Sequence, residues 1–191
     1  EVQVVGRLAR PLTVNLSAGD RLLVTGPNGA GKSTLLAVLA GRLRPTGGVV
    51  RHPEAVRTAL VAQEVPDWPA DLTACQVYDQ HVGHLVVRDR IRQDDLVPLA
   101  ATGLLDDEAL RTPVARLSQG QQRRLDLALQ LARRPDLLLF DEPTNHLSMS
   151  LVDELTTALL TTPAAVVIAT HDRQLLADLA AWPRLHLDPL G

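Results

Sequence analysis

Residues Gly26–Thr34 read Gly-Pro-Asn-Gly-Ala-Gly-Lys-Ser-Thr, and no other stretch restricts the fold as tightly. They follow Arg21–Thr25, a short and mostly apolar run of strand character, and precede Leu35–Ala40, an apolar run suited to a helix ending near Gly41. Glycines at 26, 29 and 31 let the chain turn tightly with its N–H groups converging on anionic oxygens. The helix adds the positive end of its dipole at the same place. In this pattern Lys32 reaches the outer phosphates of a nucleotide and the Ser33 hydroxyl suits Mg²⁺. An ordinary strand-to-helix turn requires none of these residues together.

Composition sharpens the reading. The chain holds 19 Lys+Arg, of which only Lys32 is a lysine, so 19 − 1 = 18 are arginines. A compact ammonium fits a phosphate loop better than a planar guanidinium fork. A length of 191 residues with 46% hydrophobic and 21% charged residues suits one globular domain with a sizeable core. Aromatics make up 2%, which argues against base stacking on aromatic platforms, and a net charge of −3 argues against a broad polyanion-binding surface. Cys75 is the single cysteine, so no internal disulfide forms and a reduced, cytoplasmic setting is expected. No apolar run approaches the ~20 residues that span a bilayer. The chain begins mid-strand and stops abruptly, so a piece of a longer protein is expected.

Taken in order, Val2–Val5 and Leu12–Leu16 read as strands, and Ser17–Asp20 as a turn into the strand before the loop. Val49-Val50 reads as a short strand and Thr58–Ala62 as a buried one ending at Gln63-Glu64. Residues 71–112 change character: Leu72–Val87 and Asp94–Leu105 read as helices of an insertion, leaving 1–70 and 113–191 as an α/β core. Ser118 with Gln121 three positions on forms a capping box, opening a helix whose stripe is Leu125, Ala128, Leu129 and Ala132. Leu137–Phe140 is a continuous apolar run fit for a central parallel strand. Ser150–Leu160 and Asp172–Ala180 read as helices, with Ala164–Ala169 and Arg184–Leu187 as strands. Alternating strands and helices predict an α/β fold, mostly parallel, with its ligand at the carboxyl ends of the strands.

The run Leu137–Phe140 ends in Asp141-Glu142. Asp141 at the strand tip can hold Mg²⁺ opposite Ser33, and Glu142 can orient or deprotonate an attacking water. A solvated Asp-Glu-Pro turn is the simpler alternative, and it loses ground because a phosphate loop is present and the pair ends a four-residue apolar strand.

These residues together resemble the ATP-binding-cassette (ABC) ATPases. The resemblance runs from Gly26–Thr34 through Gln63, Leu117-Ser118-Gln119-Gly120-Gln121, Leu137–Glu142 and His171. Leu-Ser-x-Gly-Gln is that family's signature. The resemblance implies a phosphate-loop cassette with an N-terminal antiparallel β portion and a helical subdomain. It implies that Gly26, Pro27, Asn28, Gly29, Ala30, Gly31, Lys32, Ser33 and Thr34 bind ATP, with Mg²⁺ at Ser33, Gln63 and Asp141. Glu142, His171 and Gln63 would serve hydrolysis. Ser118, Gly120 and Gln121 would meet the γ-phosphate of a nucleotide held by a second cassette, in the same polypeptide or a homodimer. Considered singly, Gln63 reads as a surface residue, His171 as a local cap and Ser118 as a helix cap.

Asp141–Leu147 (Asp-Glu-Pro-Thr-Asn-His-Leu) and Thr170–Arg173 look like the ABC-F branch, paired soluble cassettes that act on the ribosome and include antibiotic-resistance factors. The chain looks like a second cassette of such a protein. Ser148 stands where the family commonly has Asp, Gln119 where Gly is commoner, and no aromatic precedes the loop. The rival expectations are a transporter's motor subunit with a membrane partner, and an ATP switch that closes without hydrolysis.

Overall fold

The computed structural model describes residues 2–4, 6, 8–53, 56–144, 156–157 and 159–189. Its centre is a five-stranded sheet in the order β4-β5-β6-β2-β7, built from β2 (Arg21–Thr25), β4 (Thr58–Val61), β5 (Leu137–Asp141), β6 (Ala165–Ala169) and β7 (Arg184–His186). Every neighbouring pair in it is parallel. Every residue of β5 and β6 is buried, as continuous apolar runs in a parallel sheet require. A separate antiparallel pair joins β1 (Val2–Gln3) to β3 (Gly47–Gly48).

Register decides what the sheet can display. Ala169 on β6 lies opposite Val24 on one side and Asp141 on the other. The strands that lead into the glycine loop, into Glu142 and into Thr170-His171 therefore finish level, at one edge. Helix α1 (Lys32–Leu39) starts directly from Gly31, whose backbone is left-handed at φ 95°. It buries Leu35, Leu36, Val38 and Leu39, and the chain turns away at Gly41 with φ 69°. Arg21 anchors the other end of β2: its guanidinium donates to the carbonyls of Thr162 at 2.6 Å and Ala164 at 2.8 Å, and lies over the Trp182 ring.

The described residues form two compact units: those up to Gln63 and from Asp136 on, and Glu64–Pro135. The second is helical. It contains α2 (Ala74–Val87), α3 (Asp107–Arg111) and α4 (Gln119–Leu131), packed around Ala74, Val77, Tyr78, Leu110, Leu125 and Leu129. Cys75 and Trp68 pack against this core, as packing residues. Thr73 and Gln76 form a capping box on α2, and Asp106 caps α3 by accepting from the Ala109 amide at 2.8 Å.

Several boundaries differ from those expected. Leu12–Leu16 is not a strand; Leu12 alone holds a bridge position. Its alternation does set which side chains turn inward, Leu12 being buried and Leu16 packed on the core, but a ladder also needs a neighbour in register. The short strand expected at Val49-Val50 falls instead on Gly47-Gly48, and Val49 is 62% exposed. The helix expected over Asp94–Leu105 is two 3₁₀ turns, Gln93–Asp95 and Leu99–Thr102. Pro98 disfavours helix in the residue before it, and Gly103 at φ 68° ends the second turn. The helical insertion is wider than 71–112, because the α4 stripe packs with α2 rather than standing apart. Of the expected Ser150–Leu160 helix, residues 156, 157, 159 and 160 are helical, residue 161 continues it, and the rest lie outside the described residues. Asn145, His146, Leu147 and Ser148 lie outside them as well.

Leu139 is fully buried at the centre of β5, within the sheet's core cluster. Leu139→Ala should therefore cost about 2–5 kcal/mol of unfolding free energy. Urea denaturation followed by circular dichroism measures it; a loss under 1 kcal/mol would contradict this packing.

Candidate functional site

At the carboxyl edge of the sheet a cavity of about 580 Å³ is lined by Asn28, Gly29, Gly31, Lys32, Ser33, Thr34, Gln63, Asp141, Glu142 and His171, together with Gly6. These residues span most of the chain and meet because β2, β4, β5 and β6 end together. A larger cavity of about 800 Å³ lies elsewhere, among Leu12–Ala18, residues 48–53 and the starts of β5 and β6. It is mostly apolar and brings together none of the expected site residues, so the smaller one is the functional candidate.

The loop's geometry explains its glycines. Gly26 has φ 146°, and a Cβ built there would lie 2.5 Å from the Leu187 carbonyl oxygen. Gly31 must be left-handed to start α1 at Lys32. The first amides of α1 have no carbonyl within the helix to bond, and so favour an anion at this end. Lys32 is 7% exposed, and its ammonium donates to the carbonyls of Gly26 at 3.0 Å and Pro27 at 3.2 Å. It thus closes the loop from within, 4.0 Å from Glu142 Oε1. Ala30 brings no side chain to the cavity: its methyl is buried in the core, and its amide donates to the Pro27 carbonyl at 3.2 Å. Gly26 and Pro27 shape the loop through their carbonyls without lining the cavity.

Glu142 stands just past β5 with its own backbone left-handed, φ 50°, a conformation that costs a non-glycine residue on the order of 1 kcal/mol or more. Its amide donates to the Ala169 carbonyl at 2.8 Å. Its carboxylate, buried, accepts from the Thr170 hydroxyl at 3.0 Å, the His171 amide at 3.2 Å and the His171 ring Nδ1 at 2.7 Å. A carboxylate only accepts, so Nδ1 carries the proton in this contact. His171 is therefore no helix cap. That role belongs to Asp172, which accepts from the amides of Gln174 at 2.8 Å and Leu175 at 3.2 Å at the start of α5 (Arg173–Asp178). Burial pushes the Asp172 carboxyl up, but hydrogen bonds from Thr144, Leu175 and Gln174 and the nearby His171 outweigh it and hold the pKa below the usual value.

Ser33, Gln63 and Asp141 contribute a hydroxyl, an amide and a carboxylate to one cavity. Hard oxygen donors of this kind fit Mg²⁺, which keeps part of its shell for substrate oxygens. Among the described residues no group of three or more His, Cys, Asp or Glu could hold a softer metal. Ser118, Gly120 and Gln121 lie in the helical unit and not among the residues of this cavity. Ser118 Oγ accepts from the Gln121 amide at 3.2 Å, and Gln121 Oε1 accepts from the Ser118 amide at 2.9 Å, completing the expected capping box. The sequence motifs do not single out Thr170 or Gly6, which the structure brings to the site. A hydroxyl at the tip of an apolar strand, one residue before His171, was the available signal for Thr170.

A parallel sheet that gathers a glycine loop, one lysine and an acidic strand tip at its carboxyl edge defines a phosphate-loop nucleotide-binding protein. The chain belongs to the ABC transporter family of ATP-binding cassettes, which it matches over residues 9–145. It is 47% identical over 172 residues to the tylosin resistance ATP-binding protein TlrC of Streptomyces fradiae, covering 90% of this chain and 30% of that protein. It is 37% identical to the probable ATP-binding protein YheS of Escherichia coli K12, over 86% of this chain and 25% of the relative. To the energy-dependent translational throttle protein EttA of Mycobacterium tuberculosis it is 31% identical, over 90% of this chain and 36% of the relative. The chain thus spans well under half the length of these relatives. Its fold matches a dimeric bacterial ABC transporter cassette with a TM-score of 0.72 at 22% identity, covering 92% of this chain and 84% of that one. No helix among the described residues is long and apolar enough to cross a membrane.

Lys32→Ala removes the charge that closes the loop and should weaken Mg²⁺-ATP binding by about 10- to 100-fold, the worth of one or two charge-assisted hydrogen bonds. Titration with a fluorescent ATP analogue measures the change, and an affinity within twofold of the unaltered protein would contradict the assignment.

Proposed function

We propose that this cassette binds Mg²⁺-ATP in the cavity at the carboxyl edge and hydrolyses it when paired head to tail with another cassette. The carrying observation is the convergence of Lys32, Ser33, Gln63, Asp141, Glu142 and His171 on that one cavity. Loop amides and Lys32 hold the phosphates, while Ser33, Asp141 and Gln63 would hold Mg²⁺, which would supply neutralisation of the negative charge on the reacting phosphate. Glu142 takes a proton from water as the water oxygen bonds to the γ-phosphorus, and the bond to the ADP oxygen breaks. His171 leaves Glu142 to donate toward the γ-phosphate.

Ser118, Gly120 and Gln121 serve the partner's nucleotide. A capped helix start with a glycine in its first turn presents amides to an anion, and the capping box leaves that role intact. Because the signature residues come from the partner, the isolated cassette is a slow ATPase.

The biological setting is that of an ABC-F protein acting on the ribosome, as a translation factor or an antibiotic-resistance determinant, in the cytoplasm. The resemblance to a tylosin resistance protein and to a translational throttle protein supports this over a transporter's motor. Cosedimentation with ribosomes rather than membranes separates the two.

Glu142→Gln keeps the shape of the base but cannot take the proton. It should retain ATP affinity and accumulate as a pair in Mg²⁺-ATP on size-exclusion chromatography, with hydrolysis lowered by about 100-fold or more. A variant that stays monomeric in ATP, or hydrolyses it at the unaltered rate, would overturn the proposal. Adding a partner cassette to the unaltered chain should raise turnover per site; an unchanged rate would count against pairing.

A further inference from the structure

The two oxygens of the Glu142 carboxylate are held by different kinds of group. Oε1 faces the His171 ring at 2.7 Å, on a side chain 59% exposed, and Lys32 Nζ at 4.0 Å. Both of those partners can be drawn away by a phosphate. Oε2 accepts instead from the Thr170 hydroxyl at 3.0 Å and the His171 amide at 3.2 Å, two donors fixed to the end of the central strand β6. Thr170 is fully buried, and its amide donates to the Val24 carbonyl at 3.2 Å on the strand that enters the phosphate loop. Its hydroxyl oxygen accepts from the Asp172 amide at 3.1 Å, so the hydroxyl proton is directed at Glu142.

Building on the hydrolytic reading above, we propose that Thr170 is a positioning residue that anchors Glu142 through Oε2, leaving Oε1 as the oxygen that takes the proton. When His171 and Lys32 turn to the nucleotide, Oε1 loses its partners and opens to water. Oε2 keeps both of its own. The base then stays aimed although its backbone is left-handed at φ 50°. Thr170 also ties the base to β2, so the carboxylate and the phosphate loop keep a fixed separation.

The test compares Thr170→Val, which replaces the hydroxyl by a methyl, with Thr170→Ser, which restores a hydroxyl. Steady-state hydrolysis by the full chain with its partner cassette should show kcat lowered roughly 10- to 100-fold in Thr170→Val, as for a slightly misplaced base. KM should stay within about threefold, and Thr170→Ser should recover most of kcat. A second readout needs no nucleotide: the His171 amide, bonded to Oε2, should exchange with deuterium about tenfold faster in Thr170→Val. The Glu142 amide, bonded to Ala169, should exchange as before. Thr170→Ala gives the same comparison if Thr170→Val does not fold. Unaltered kcat and His171 protection, or equal loosening of both amides, would overturn the proposal. Glu142→Gln tells the two failures apart: activity retained there removes the base itself, whereas activity lost there but kept in Thr170→Val removes only Thr170.

Discussion

Level strand ends hold the site together. Ala169 pairs across the sheet with both Val24 and Asp141, so three chain segments far apart in sequence leave the sheet at the same height. Parallel strands place all their carboxyl ends on one edge, and crossovers carry the chain back to the other. A slip of one residue between β5 and β6 would carry Glu142 away from the Thr170 hydroxyl and would turn the buried apolar residues of β5 toward the opposite faces. Because Leu137–Phe140 is apolar on both faces, burial alone does not resist such a slip; the bonds at the two ends of the pair, from the Ala165 amide to the Asp136 carbonyl and from the Glu142 amide to the Ala169 carbonyl, hold the register.

Charge in the site is organised around that edge. Lys32 and Glu142 are both nearly inaccessible, and a buried pair at 4.0 Å is a weak source of stability by itself. The cost of burying it is offset by hydrogen bonds: two carbonyls take the ammonium, and three donors take the carboxylate. In the proposed function an arriving triphosphate would compete for Lys32 and His171, because both can exchange a carboxylate or carbonyl for phosphate oxygens.

Much of this was legible along the chain. The phosphate loop announced itself because its chemistry is local: glycines, a lysine and a hydroxyl within nine residues, between an apolar strand and an apolar helix. Ser118 and Gln121 were legible for the same reason, since a capping box spans one turn. The 94–105 segment was misread because its apolar spacing suits a helix while Pro98 and Gly103 interrupt it, and one Pro outweighs several matching side chains. The extent of the helical unit was misread because α4 belongs with whatever its stripe packs against, and periodicity does not name a partner.

Residue order by itself determined the local devices: which strands are buried on both faces, where helices start, and which segment can wrap a phosphate. Only the tertiary structure decided that Glu142 is gripped through one oxygen by Thr170 and through the other by His171, and that Gln63 joins them at the same cavity. The reason is physical. Turns and caps arise between neighbours a few residues apart, whereas a hydrogen bond between positions 142 and 170 exists only once two strands have settled in register.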